Sequence, residues 1–190
     1  MGLDMYLERC DRKAWGYKDF HIEDVKQNNP KLYEEIKPFL TVRGKYVPWE
    51  SIFEEVAYWR KANAIHRWFV KNVQDDTDDC NPYEVSKEQL EDLLSICKLV
   101  KEKCKLKDGT ITNGYHYENG EMSPILEDGK YIENPEVAQE YLPTTSGCFF
   151  GSTDYDEYYM DDIEYTIQAL EKVLKETDFD RQIIAYMSSW

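Results

Sequence analysis

Positive charge is scarce in this chain. Lysine and arginine total 23 against 38 aspartates and glutamates, which leaves a net charge of -15 over 190 residues. Phosphate contacts need lysine and arginine, so such a surface repels free nucleic acid. It suits a basic protein partner, and it equally suits plain solubility. Long apolar runs are missing as well. Nothing approaches the roughly 20 residues of a membrane span, and the opening MGLDMYLERC carries Asp4, Glu8 and Arg9 where a secretory signal would be apolar. A soluble, cytoplasmic protein is expected. Five cysteines are an odd number, and in a reducing compartment they favour free thiols or metal ligands over disulfides. No P-loop, no G-x-G-x-x-G and no G-x-S-x-G is present, so the standard phosphate, dinucleotide and nucleophile-elbow signatures are absent.

What is present is a chain able to build a core. Hydrophobic residues make up 42% and aromatics 14%, with 15 tyrosines, whose hydroxyls need partners at the edge of a core or on a binding surface. GLDMYLER partly alternates and reads as an opening strand; RQIIAYMSSW reads as a closing strand able to pair with it. NNPKLYEEIKP carries a proline just inside its start and another at its stop, a short helix over 28–38. GKYVPW suggests a short edge strand, because Pro48 has no N–H for a ladder.

Ser51 and Glu54 have the spacing of a capping box and open a long helix running to about Val73, buried on more than half its girth and carrying Asn63 and His66. Ser86 and Gln89 form a second box, followed by Leu90, Leu93, Cys97, Val100 and Cys104 in a clean stripe. The short connection predicts that these two helices pack antiparallel, bringing Cys97 near His66. Residues 107–140 are turn-rich and read as a hairpin-rich insertion, TTSGCFFG as a short buried strand, and STDYDEYYMDDIEYTIQALEKVLKE as a third long helix. The expected fold is α+β: one helix-dominated domain of three long helices, a small antiparallel sheet and the inserted hairpins.

Two clusters carry possible chemistry. In AIHRWFVKNVQDDTDDC, a histidine on the buried side of a helix precedes four aspartates and Cys80. Imidazole and thiolate are zinc donors. His66, Cys80, Cys97 and Asp79 are the ligands such a site would draw on, and a dication would relieve the crowded aspartates. The spacing matches no standard finger, and a core histidine with an apolar-packed Cys97 explains the same residues. In the second cluster Asp154, Glu157, Asp161 and Glu164 fall 3, 4 and 3 apart. They read as a solvated face favouring a helix N-terminus, as a surface for a basic partner, or as a hard-cation site. Cys148, beside two phenylalanines, is expected to be buried rather than reactive.

The strings MGLDMYL, VAYWRKANAIHRWFV, DDC, LPTTSGCFFGSTDYDEYYMDDIEYT and SSW together resemble a family of small phage and prophage proteins associated with anti-CRISPR activity, inhibitors of the type II CRISPR effector nuclease, at least one of which contains zinc. The resemblance covers residues 1–9, 51–106 and 141–190. It implies a phage-derived, non-enzymatic protein acting in the host bacterial cytoplasm. Such a protein binds the basic effector and blocks target-DNA loading or cleavage, with no direct nucleic-acid or membrane contact. For sites it implies His66, Cys80 and Cys97. A metal-dependent hydrolase or nuclease of phage origin is the alternative.

Overall fold

The computed structural model describes residues 2–118 and 120–190. The chain forms β1 (Asp4–Asp11), α1 (Ile22–Asn28), α2 (Pro30–Ile36), β2 (Thr41–Arg43), β3 (Trp49–Ser51), β4 (Glu54–Arg60), α3 (Asn63–Asn72), β5 (Tyr83–Val85), α4 (Lys87–Lys103), β6 (Leu106–Glu118), β7 (Glu121–Ile132), α5 (Glu136–Tyr141), α6 (Glu157–Glu176) and β8 (Gln182–Ser189). It is a mixed α and β fold. The central antiparallel sheet has the order β4-β1-β8-β5, and β2-β3 and β6-β7 are separate two-stranded ribbons. The first and last strands pair along their whole length, from Asp4 opposite Ser189 to Asp11 opposite Gln182.

Alternation along β8 divides the interior. Ile184 and Tyr186 point to the larger core with Leu3, Met5, Leu7 and the buried faces of α3, α4 and α6. Ile183 and Ala185 point to a smaller one with Ile22, Ile36 and Phe53, covered by α1 and α2. Period-two burial on both faces is what a strand inside a three-layer arrangement requires. Several local signals act as read. Asn29 accepts from Leu32 N–H with Pro30 in the first turn of α2, and Ser86 and Gln89 complete both bonds of the capping box on α4.

The long helix expected over 51–73 is instead a strand, a turn and a ten-residue helix. Ser51 Oγ accepts from Phe53 N–H at 3.0 Å, a local turn, so the apparent capping box caps nothing. Ala57 and Trp59 then face the core while Tyr58 and Arg60 face out, and Lys61 N–H closes the ladder on Leu3 O at 2.8 Å. Lys61 is left-handed, with φ 63°, and that reversal starts α3. Consequently α4 packs chiefly against α6 rather than against α3. The edge strand expected over 44–49 is mostly the turn joining β2 to β3. Gly44 sits at φ 89° there, and a Cβ would lie 2.3 Å from Val47 O. Residues 106–132 form one long ribbon, whose base is tied to the start of α6 by Ile132 N–H on Tyr155 O at 2.9 Å.

The buried strand expected at 144–151 is an irregular loop, and Cys148 on it is exposed. Three of the backbone bonds here are made by one side chain. Asn63 Oδ1 accepts from Thr145 N–H at 3.0 Å, and its Nδ2 donates to Phe150 O at 3.2 Å and Ser152 O at 2.7 Å. Asn63 thus takes the place of a neighbouring strand. Asn63→Asp would turn the donor toward two carbonyls into a buried anion, at about 2–4 kcal/mol. We expect the melting temperature to fall by roughly 5–15 °C, measured by differential scanning calorimetry at pH 7.5. An unchanged transition would show that the loop is held by other groups.

Candidate functional site

His66 lies three residues after Asn63 on the buried face of α3 and is 1% exposed. Both ring nitrogens have partners. The Tyr186 hydroxyl lies 2.7 Å from Nδ1, and Asp78 Oδ2 lies 3.0 Å from Nε2. A carboxylate only accepts, so Nε2 carries the proton and Nδ1 accepts from tyrosine. The other Asp78 oxygen accepts from Trp190 Nε1 at 3.0 Å. The result is a directed chain from Tyr186 through His66 to Asp78, with Trp190 converging on the same carboxylate. Tyr186 is fixed by a parallel stack on Phe69, 4.0 Å between centroids. Phe150 meets the imidazole edge-on at 5.2 Å. Around the outer end lies a cavity of about 340 Å³ lined by His66, Arg67, Asp78, Cys148, Phe150 and Trp190.

Burial pushes the His66 pKa down, and Asp78 pulls it only partly back. At neutral pH the ring is therefore neutral, and its contact with Asp78 is a hydrogen bond rather than an ion pair. With both nitrogens engaged, the ring orients its neighbours and has no free lone pair for a substrate proton.

Of the four residues expected to share a zinc, Asp79 and Cys97 have other surroundings. Asp78, not Asp79, reaches His66. Asp79 instead caps its own turn, accepting from Asn81 N–H and Nδ2 and from the Tyr83 hydroxyl at 2.9 to 3.1 Å. Cys97 is sealed in the core, and burial drives its thiol pKa well up. Because α4 pairs with α6, Cys97 sits beside Tyr159. Cys80 is half-buried and left-handed, with φ 61°. Among the described residues no three histidine, cysteine, aspartate or glutamate side chains are grouped to hold a metal ion.

The acidic series is also divided. Glu157 Oε1 accepts from Lys130 N–H at 3.2 Å and Glu164 pairs with Lys101 at 3.2 Å, whereas Asp154 and Asp161 are exposed. Sequence reading passed over Tyr186, Trp190 and the anchoring role of Asn63. The alternation in IIAYMSS puts Tyr186 on the Ile184 face, but nothing local pairs it with a histidine 120 residues away. Comparison with protein-family models, curated proteins and solved structures finds no match to this chain.

The buried histidine gives a pH dependence. Its folded pKa lies below the ordinary 6.5, so the unfolded chain takes up the proton first as pH falls. Its stabilising contribution is full above about pH 6.5 and is lost below that value toward the folded pKa. We expect the wild-type melting temperature to fall between pH 7 and 5 more steeply than that of His66→Gln. At pH 8 the variant should lie roughly 3–8 °C lower, from loss of one buried bond and its packing. Parallel pH profiles in thermal unfolding would contradict this assignment.

Proposed function

We propose that this protein is a non-enzymatic binding protein that docks an acidic, tyrosine-bearing face on a basic protein. The observation that carries the reading is the surface where the β6-β7 ribbon meets the start of α6. Tyr115 and Tyr117 are 60% and 73% exposed there, and Ile125 and Leu126 are also exposed. Residues 113–127 include three glutamates and no lysine or arginine. The ribbon is joined to α6 by the Tyr158 hydroxyl on Glu127 at 3.1 Å, which makes it continuous with exposed Asp154 and Asp161. Exposed tyrosines supply rigid, amphipathic contact area and are enriched at interfaces. Surrounding carboxylates steer a basic partner and repel nucleic acid.

The resemblance supports one such partner, a type II CRISPR effector nuclease. The protein would then act as a phage-derived inhibitor in the host bacterial cytoplasm, occupying a basic groove and blocking target-DNA loading or cleavage. Among the described residues no helix is long and apolar enough to cross a membrane. The inserted-ribbon reading fits the same picture, since an arm outside the core is free to carry the contact.

Target-DNA cleavage by a panel of type II effectors, with and without the protein, tests this reading. Inhibition and co-elution with at least one effector are expected. The double change Tyr115→Ala and Tyr117→Ala should weaken inhibition about tenfold or more, the loss typical of interface aromatics, with the melting temperature unchanged. Absence of both inhibition and co-elution across the panel would overturn it. Structural zinc rests on the resemblance and on the donor types of His66, Cys80, Cys97 and Asp79. His66 would have to give up its Nε2 proton and its bond to Asp78. If zinc is resident, Cys80→Ser lowers metal content by elemental analysis and the melting temperature together; if neither changes, Asp78 is the partner of Nε2.

A further inference from the structure

A second and larger cleft, of about 550 Å³, lies between the start of α3, the ribbon around Tyr115 and the first turns of α6. Its lining carries both charges. The positive part comes from Arg60, Lys61 and the N-terminus of α3. Ala62 stands at the N-cap and makes no side-chain cap bond. The Asn63 and His66 N–H groups are satisfied by Lys61 O and Ala62 O, while those of Ala64 and Ile65 find no acceptor among the described residues. Neither Arg60 nor Lys61 joins any ion pair among the described residues. Two unpaired cations beside uncapped helix N–H groups favour an anionic group.

The negative part of the lining is carboxylate. Asp156 is 2% exposed and caps α6 through Oδ1, accepting from Tyr159 N–H at 3.1 Å. Its Oδ2 is buried with no hydrogen-bond partner. A buried oxygen without a donor is unfavourable by about 1–3 kcal/mol, so a native structure rarely keeps one without cause. Asp162 also lines the cleft, and burial, then Asp161 and Asp156, push its carboxyl up to about 7. Asp156 Oδ2 and the Asp162 carboxyl have no side-chain donor among the described residues, and a cationic ligand could supply one. Tyr115 and Tyr158 line the same space, and each residue is half or more exposed. Such rings can face a planar cation.

We propose that this cleft binds a small zwitterion of the basic amino-acid class, with its carboxylate at Lys61 and the start of α3 and its guanidinium or ammonium group at Asp156 and Asp162. A bare divalent cation suits the cleft less well, because Arg60 and Lys61 line it. The same chemistry is offered by a free amino acid and by a peptide ending in arginine or lysine. The cleft shares Tyr115, Tyr158, Asp154 and Asp161 with the docking face, but the inference needs no protein partner, and its test reads amino-acid binding alone.

Isothermal titration calorimetry on the whole protein at pH 8 tests it, with L-arginine, L-lysine, agmatine (arginine without its carboxylate), Gly-Gly-Arg and Gly-Gly-Arg amide. L-arginine or L-lysine should bind at millimolar or lower concentration. Agmatine should bind about tenfold more weakly than arginine, as expected for loss of one charge-assisted contact. Asp162→Asn should weaken arginine and agmatine alike by about tenfold or more, without lowering the melting temperature. Lys61→Gln should weaken arginine but not agmatine. Binding of Gly-Gly-Arg, but not of its amide, assigns the site to a peptide terminus, and binding of arginine alone assigns it to the free amino acid. No binding of arginine or lysine, or binding unaffected by both substitutions, overturns the proposal.

Discussion

Two polar side chains one helical turn apart on the buried face of α3 hold the molecule's irregular parts in place. Asn63 and His66 are 3% and 1% exposed. Buried polar groups are tolerated only when their bonds are complete. Here the bonds are complete, and every partner comes from a distant segment: the loop at 144–152, the loop at 73–82 and strand β8. The constraint acts in both directions. The helix can carry amide and imidazole into the core only because those segments are present. The two loops, which lack a ladder of their own, are held in one conformation by bonds from the helix. Trp190 extends the same network outward by sharing Asp78 with His66.

This dependence explains which parts were legible in the sequence. Signals confined to a few neighbouring residues read correctly. The Asn29–Pro30 start of α2, the Ser86–Gln89 box of α4 and the buried stripe of α6 each need only local geometry. The alternation of Leu3, Met5 and Leu7 similarly gave β1 before its partner was known. The reading failed where a local signature admits two outcomes and tertiary contacts choose. Ser51 and Glu54 fit a capping box and an isolated turn equally well, and pairing of β4 with β1 decides. TTSGCFFG looks like a strand because its apolar residues are adjacent, yet Thr145 N–H and Phe150 O bond to one asparagine more than 80 residues earlier. His66 was correctly picked out as buried and special. Its partner in the aspartate run, however, depends on a loop whose path no spacing rule gives, and Cys97 was misplaced because the partner helix was misassigned.

Charge is distributed with the same economy. The total of -15 suggests a uniformly acidic surface, but the carboxylates serve different ends. Glu8 is buried and paired with Arg43. Glu157 and Glu164 bind the ribbon backbone and α4. Exposed Asp154 and Asp161 join the glutamates of the ribbon in an outer acidic face. Arg60 and Lys61, which join no ion pair among the described residues, line the large cleft together with its aspartates. A surface that repels nucleic acid as a whole therefore also contains a pocket with a positive part, and net charge alone could not indicate it.

Backbone strain points to the same region. Five non-glycine residues among those described have positive φ: Lys61, Asp75, Asp76, Cys80 and Phe149. Aspartate tolerates this conformation, but lysine, cysteine and phenylalanine do so at roughly 1–2 kcal/mol each. None lies in the outer ribbons or around α1 and α2. Lys61 immediately precedes α3, the residues from Asp75 to Cys80 form the loop that delivers Asp78, and Phe149 belongs to the loop that Asn63 holds. Strain of this kind persists only where surrounding bonds over-determine the chain, and the bonds of Asn63 and His66 are of that kind. The left-handed turn at Lys61 does two things at once. It ends β4 so that α3 can begin with Asn63 facing inward, and it sets Lys61 beside the open N-terminus of that helix. The geometry that secures the interior is thus the same geometry that forms the positive part of the cleft.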